Sequence, residues 1–173
     1  MKAVLLTLAL LSAAPVALAG ESCASPDAGL PAAWSAWSRA TPLTAATKAA
    51  DQPEVALGQA YAAQLQPAAQ MQYEIEPAKG VTPGSFGGLV MLTVVTGDNY
   101  TVALDGKAWI EVIRDGQVIE SASHGHGPAC TTIHKMVTFP LTPGVYTLQL
   151  ANAEAATVKI EPQDVAISNG IDN

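Results

Sequence analysis

The sequence predicts an all-β chain: a single-domain β-sandwich of jelly-roll type, with about eight strands and an irregular N-terminal arm. Three observations predict it. From Val55 onward, apolar and polar residues alternate over short runs, the period of a strand with one wet face. Gly, Pro, Asn and Asp punctuate those runs closely, as they do in sandwiches and barrels. Once a leader is set aside, about one domain's worth of chain remains, enough for a sizeable core.

The leader is "MKAVLLTLALLSAAPVALAG", in which one lysine precedes an apolar run and then the small-x-small triplet Ala17-Leu18-Ala19. That layout predicts a signal peptide over residues 1–19, cleaved after Ala19. Its apolar run falls short of the about 20 residues that a membrane helix needs. Charges, Gly and Pro interrupt every later stretch, so no membrane span is expected in the mature chain. Cys23 lies three residues too late for lipid attachment. The expectation is an exported chain, periplasmic or secreted. Without Lys2 it carries seven bases against fifteen acids, a net −8 with no run of basic residues. That charge argues against nucleic acid and against anionic lipid as partners.

Residues 20–54 are rich in Ala, Pro, Ser and Thr and read as an N-terminal arm and linker, leaving 55–173 for the sandwich. "WSAW" sets Trp34 and Trp37 three apart, on one side of a helical turn. They serve either as a stacking platform for a flat ligand or as apolar anchors that dock the arm. "AYAAQLQ" predicts a strand with Tyr61, Ala63 and Leu65 on one face. "AQMQYEIEP" predicts another, with Met71, Tyr73 and Ile75 aligned and Glu74 and Glu76 on the wet side. "KGVTPGSFGG" is a turn-rich connection, and "LVMLTVV" reads as a strand buried on both faces. "YTVAL" follows a "TGDN" turn whose Asp98 and Asn99, like Asp105 further on, are explained by turn chemistry. "AWIEVIRDGQVIES" alternates across Asp115-Gly116, a strong hairpin dipeptide, with Glu111 and Glu120 on its two arms. "KMVTFPL", a "TPG" turn, "VYTLQLAN" and "ATVKIEP" complete the set.

The chemistry concentrates in "SASHGHGPACTTIHKM". All three histidines lie there with one of the two cysteines, spaced H-x-H-x3-C-x3-H. His124 and His126, if extended, project to one side, because side chains alternate along a strand. The glycines between and after them let the backbone turn so that Cys130 and His134 can join. Imidazole and thiolate suit one transition metal ion, Zn, Cu or Fe. Met136 adds a thioether that tilts the choice toward copper, although a blue-copper site needs a histidine far upstream. In an oxidising compartment the alternative partner of Cys130 is Cys23. Cys130 is therefore either a fourth ligand or half of a disulfide. No G-x-S-x-G elbow is present, and nothing selects a glycosidase pair among the carboxylates.

Three resemblances accompany these residues. The last seventy or so, with Pro143, Gly144, Tyr146, Leu148 and Leu150 as "pG-x-Y-x-L-x-L", resemble exported bacterial pre-peptidase C-terminal domains and some carbohydrate-binding modules. That resemblance implies a jelly roll. "HGHGPAC" is similar to the start of the first cupin motif, which would make His124 and His126 iron ligands. Cys130 stands where the motif has an acid, and no histidine follows His134 to complete the second motif. The chain also resembles a poorly characterised family of short exported proteobacterial proteins, through W-x2-W, "HGHGP-x-C" and "KMV-x-F-x-L-x-PG-x-YTLQ". That family tends to carry a homogentisate 1,2-dioxygenase label.

The functional expectation is a periplasmic binding or accessory protein that takes a small ligand or a protein, with a transition metal held by the His124–His134 loop. The alternatives are a cupin-like metal-dependent dioxygenase and a purely structural, protein-binding or carbohydrate-binding module.

Overall fold

The computed structural model describes Cys23 and residues 25–164. The expected signal peptide and its cleavage point lie outside the described residues. Strands β5 (Phe86–Val94), β6 (Asp98–Leu104), β7 (Trp109–Arg114), β8 (Gln117–Ile119), β9 (Ser123–Gly125), β10 (Lys135–Leu141), β11 (Gly144–Ala153) and β12 (Thr157–Asp164) form the body. Four short strands precede them: β1 (Thr41–Thr44), β2 (Glu54–Val55), β3 (Tyr61–Gln64) and β4 (Gln66–Pro67). Two sheets result. One has the order β1-β3-β12-β6-β10-β9; the other runs β2-β5-β11-β7-β8, with β4 also on β5. Along the chain β5, β6, β7–β8, β9–β10, β11 and β12 alternate between the two sheets, as the strands of a jelly roll do. The molecule is an all-β sandwich.

The strand count differs from the expected eight for an identifiable reason. β1 lies within the segment read as arm and linker and β2 straddles its end, and each joins its sheet in parallel, β1 beside β3 and β2 beside β5. "TPLT" and "EV" are too short to show a period, so their pairing is tertiary in origin. The inner faces match the alternation closely. Tyr61, Ala63 and Leu65 are buried, as are Val90, Leu92, Val102, Leu104, Ile110, Val112, Tyr146, Leu148 and Leu150 in one core. At the hairpin tip Asp115 and Gly116 both take positive φ, 53° and 69°, the primed turn that fits strand twist. The Tyr146 hydroxyl donates to the Thr142 carbonyl at 2.7 Å and accepts from the Thr142 N–H at 3.0 Å, pinning the "TPG" turn to its own strand.

The strand expected over 69–77 does not form. Gln72 makes one bridge to Lys48, and the chain then crosses the outer face of the second sheet as loop. Side chains there do the work of a ladder partner. Gln149, fully buried on β11, accepts from the Glu74 N–H at 3.0 Å and donates to the Ile75 carbonyl at 2.9 Å. Glu111 on β7 accepts from the Ala78 N–H at 2.8 Å, from Gln149 Nε2 at 2.8 Å and from Trp109 Nε1 at 2.9 Å. Met71, Tyr73 and Ile75 alternate in sequence, but no strand edge lies where they pass.

Candidate functional site

The N-terminal arm decides what the histidine loop can be. Residues Ala32–Arg39 form 3-10 turns whose Trp34 and Trp37 are buried, 4% and 0% exposed. They pack with Ala103 and Ile133, joined by Leu30, Ala33 and Met136, on the outer face of the first sheet. Trp37 Nε1 donates to Thr132 Oγ1 at 2.8 Å. Their rings are therefore closed to a ligand, which corrects the stacking-platform reading: they are anchors. Nearby, Asp27 takes hydrogen bonds from the Thr132 N–H and hydroxyl, both at 2.6 Å, and its own N–H donates to the Cys130 carbonyl.

Cys23 is bonded to Cys130, with 5.3 Å between their Cα atoms. A bonded sulfur offers no thiolate, so Cys130 drops out of the ligand set and only the three imidazoles remain. Such a bond fits an oxidising, exported environment. Among the described residues, no helix is long and apolar enough to cross a membrane.

His124, His126 and His134 are exposed and line one hollow of about 250 Å³ together with Gly106, Lys107 and Lys135. A second hollow of about 210 Å³ shares His124 and Lys135 and is closed by Trp109, Ile110, Ser121 and Val137. The groove lies at one end of the sandwich, where the β6–β7 connection, the start of β10 and the edge strand β9 meet. Local structure explains each position. His124 sits on β9 opposite Val137 of β10. His126 Nδ1 lies 3.1 Å from the His134 carbonyl, while the His134 N–H donates to Leu104. No three His, Cys, Asp or Glu side chains are grouped to hold an ion among the described residues. The imidazoles share a wall without converging on a point.

Gly127 is what lets the loop close. A Cβ there would sit 2.3 Å from the Ile133 carbonyl oxygen and 2.5 Å from the Ile133 Cβ, with backbone on one side and a buried β-branched residue on the other. Gly127→Ala is expected to cost about 1–3 kcal/mol, the usual price of overpacking, read as a lowered thermal midpoint. An unchanged midpoint would mean that the loop is not packed against Ile133.

Sequence reasoning missed the lysines. Lys135 is half-buried; its Nζ donates to the Ala108 carbonyl at 2.8 Å and lies 5.4 Å from the centre of the Trp109 ring. Burial lowers its pKa below the ordinary lysine value. Lys79 stands 5.2 Å from the same ring, and Lys107 reaches Glu154 at 3.2 Å. These three bases and all three imidazoles gather at one corner of an acidic protein. They are 28 residues apart in each step along the chain, so no local pattern announces them.

No protein-family model matches the chain. No curated protein matches it either. Among solved structures, the chain is similar to the pre-peptidase C-terminal domain of a collagenase from Bacillus anthracis. Identity is 10% and the TM-score is 0.41, with 65% of this chain and 95% of that one covered.

Proposed function

We propose that the chain is an exported periplasmic binding module that holds a small organic anion in the groove walled by His124, His126, His134, Lys135 and Trp109. Lys135 carries the reading. Its ammonium is partly desolvated at the junction of the two hollows, and no carboxylate forms an ion pair with it among the described residues. Withdrawing a cation from water is costly, and a ligand carboxylate offsets that cost with a charge-assisted hydrogen bond. Trp109 supplies a flat wall held by its bond to Glu111, and the imidazoles supply adaptable polar contacts. The acidic remainder of the surface repels anions, which leaves this corner as the attractive one.

The metal reading keeps one supporting observation, the shared hollow of the three imidazoles. It requires those side chains to swing together on binding. An iron-dependent dioxygenase requires the same convergence plus open coordination positions, and has no further support.

One titration separates the readings. Backbone and indole N–H resonances are followed while benzoate, benzyl alcohol or Zn²⁺ is added. The expected result is saturable shifting of the Trp109 indole and of Gly125 by millimolar benzoate, with benzyl alcohol far weaker. Lys135→Met, which keeps the stem over Trp109, should weaken benzoate about tenfold or more. Equal responses to benzoate and benzyl alcohol, or none, contradict the anion site. Perturbation of all three imidazoles that is complete at one equivalent of Zn²⁺ favours the metal.

A further inference from the structure

On the outer face of the first sheet, Lys159, Glu161 and Gln163 of β12 point the same way, since side chains alternate and Val158 and Ile160 face the core. The two flanking residues both hold the arm. Lys159 Nζ lies 4.8 Å from the Trp37 ring centre, and Gln163 Nε2 donates to the Ala33 carbonyl. Glu161 stands between them, opposite Ala103 of β6, which itself packs against Trp34 and Trp37. It is 0% exposed, and neither carboxyl oxygen has a hydrogen-bond partner.

A buried carboxylate without donors is among the least favourable groups a fold can hold, whereas the neutral acid costs far less. We propose that Glu161 is a protonation latch for the N-terminal arm: the neutral acid lets residues 25–39 lie flat on the sheet, and its ionisation lifts them. The arm cannot leave. Cys23–Cys130 ties one end and β1 the other, so opening is a local lift between two fixed points. Because Asp27 and Trp37 bind Thr132, the lift also frees the 128–133 stretch that precedes His134. This device is independent of what the groove binds.

The surroundings agree with the geometry. Desolvation raises the Glu161 pKa from 4.5 to about 7, and Lys159 opposes the rise. The other ionisable groups on elements packed there are Asp27 and Arg39 of the arm, Asp105 after β6, His134 and Lys135 at the start of β10, and Asp164 at the end of β12. Asp27 is occupied by Thr132, Asp105 accepts from the Lys159 N–H, and Lys135 donates to Ala108. The sign follows from the raised value. The closed arm binds the proton more tightly than the opened one, so closure is favoured at low pH and is lost as pH rises through about 7.

The test is amide hydrogen exchange of residues 32–39, corrected for intrinsic rates, beside a carbon NMR titration of the Glu161 carboxyl in the unaltered protein. Between about pH 5.5 and about pH 8.5 protection should fall about thirty-fold, the ratio set by carboxyl midpoints of 4.5 open and about 7 closed. In Glu161→Gln, which is neutral and of equal size, protection should be flat with pH. A carboxyl titrating in the ordinary range overturns the latch without any variant. A carboxyl midpoint near 7 with constant arm protection overturns it as well. So does a Glu161→Gln chain that keeps the same pH dependence.

Discussion

Removing the Cys23–Cys130 bond, as the doubly substituted Cys23→Ser, Cys130→Ser chain, should lower the free energy of unfolding by about 4–5 kcal/mol. The bond closes a loop of 107 residues, so it constrains a large part of the denatured chain, and a loop of about 100 residues corresponds to nearly 5 kcal/mol of lost chain entropy. The native state adds little to this figure on its own account, because Asp27, Trp37 and Gln163 hold the arm by separate contacts. Urea unfolding of the oxidised and substituted chains measures the difference. The substituted chain should also unfold with a steeper denaturant dependence, since its unfolded state exposes more surface. A loss of less than about 1 kcal/mol would mean that the crosslink does not restrict the denatured ensemble as a long loop must.

Glu111→Ala should cost about 3 kcal/mol or more, at about 1–3 kcal/mol for each buried donor left without an acceptor. Three donors lose their acceptor together: the Ala78 N–H, Gln149 Nε2 and Trp109 Nε1. Two of them belong to side chains that organise other parts of the molecule. Gln149 holds the 74–75 backbone against the sheet, and Trp109 is the wall of the groove. The substitution should therefore be felt twice, as lower stability in denaturant and as broadened resonances over 73–78. Glu111→Gln keeps the shape but turns an amide N–H₂ toward donors, and should recover only part of the loss. If Glu111→Ala costs no more than a surface substitution, within about 0.5 kcal/mol, then the loop is not held by this carboxylate.

The body of the sandwich was readable because its strands obey a local rule. In "VYTLQLAN" the apolar positions fall on one face, and the structure buries Tyr146, Leu148 and Leu150 in the common core. The Asp115-Gly116 hairpin was readable for the same kind of reason, a backbone demand met by two adjacent residues. What failed was whatever depends on distant partners. "QMQYEIE" has a strand's period, yet its Glu74 N–H and Ile75 carbonyl bond the Gln149 side chain, more than seventy residues away, and Glu111 takes the Ala78 N–H just beyond it. "TPLT" and "EV" have no period and still form strands, because open sheet edges receive them. Gln149 and Glu161 occupy strand positions that alternate with core residues and face away from the common core. Both are buried because the loop and the arm cover those faces, a fact that alternation does not encode.

The candidate site divides in the same way. The imidazoles announce themselves by crowding into eleven residues, and they do line one hollow. Of the two roles the spacing leaves open for Cys130, fourth ligand or half of a disulfide, the arm selects the second through Cys23. Lys79, Lys107, Trp109 and Lys135 are brought to the groove by the β6–β7 connection, the crossing loop and the start of β10. A reading of charge runs sees only a scattering of lysines in an acidic chain.

In the function proposed above, the histidine loop is a disulfide-pinned wall of a ligand groove. The most direct test is a native intact mass of the protein recovered from the periplasm without chelator or histidine tag. The expected mass is that of a chain two hydrogens lighter than its reduced composition, free of metal, with or without a small organic adduct that is lost on Lys135→Met. A full-hydrogen mass carrying one zinc, copper or iron would contradict it, because Cys130 would then be a thiolate ligand and the loop a metal centre.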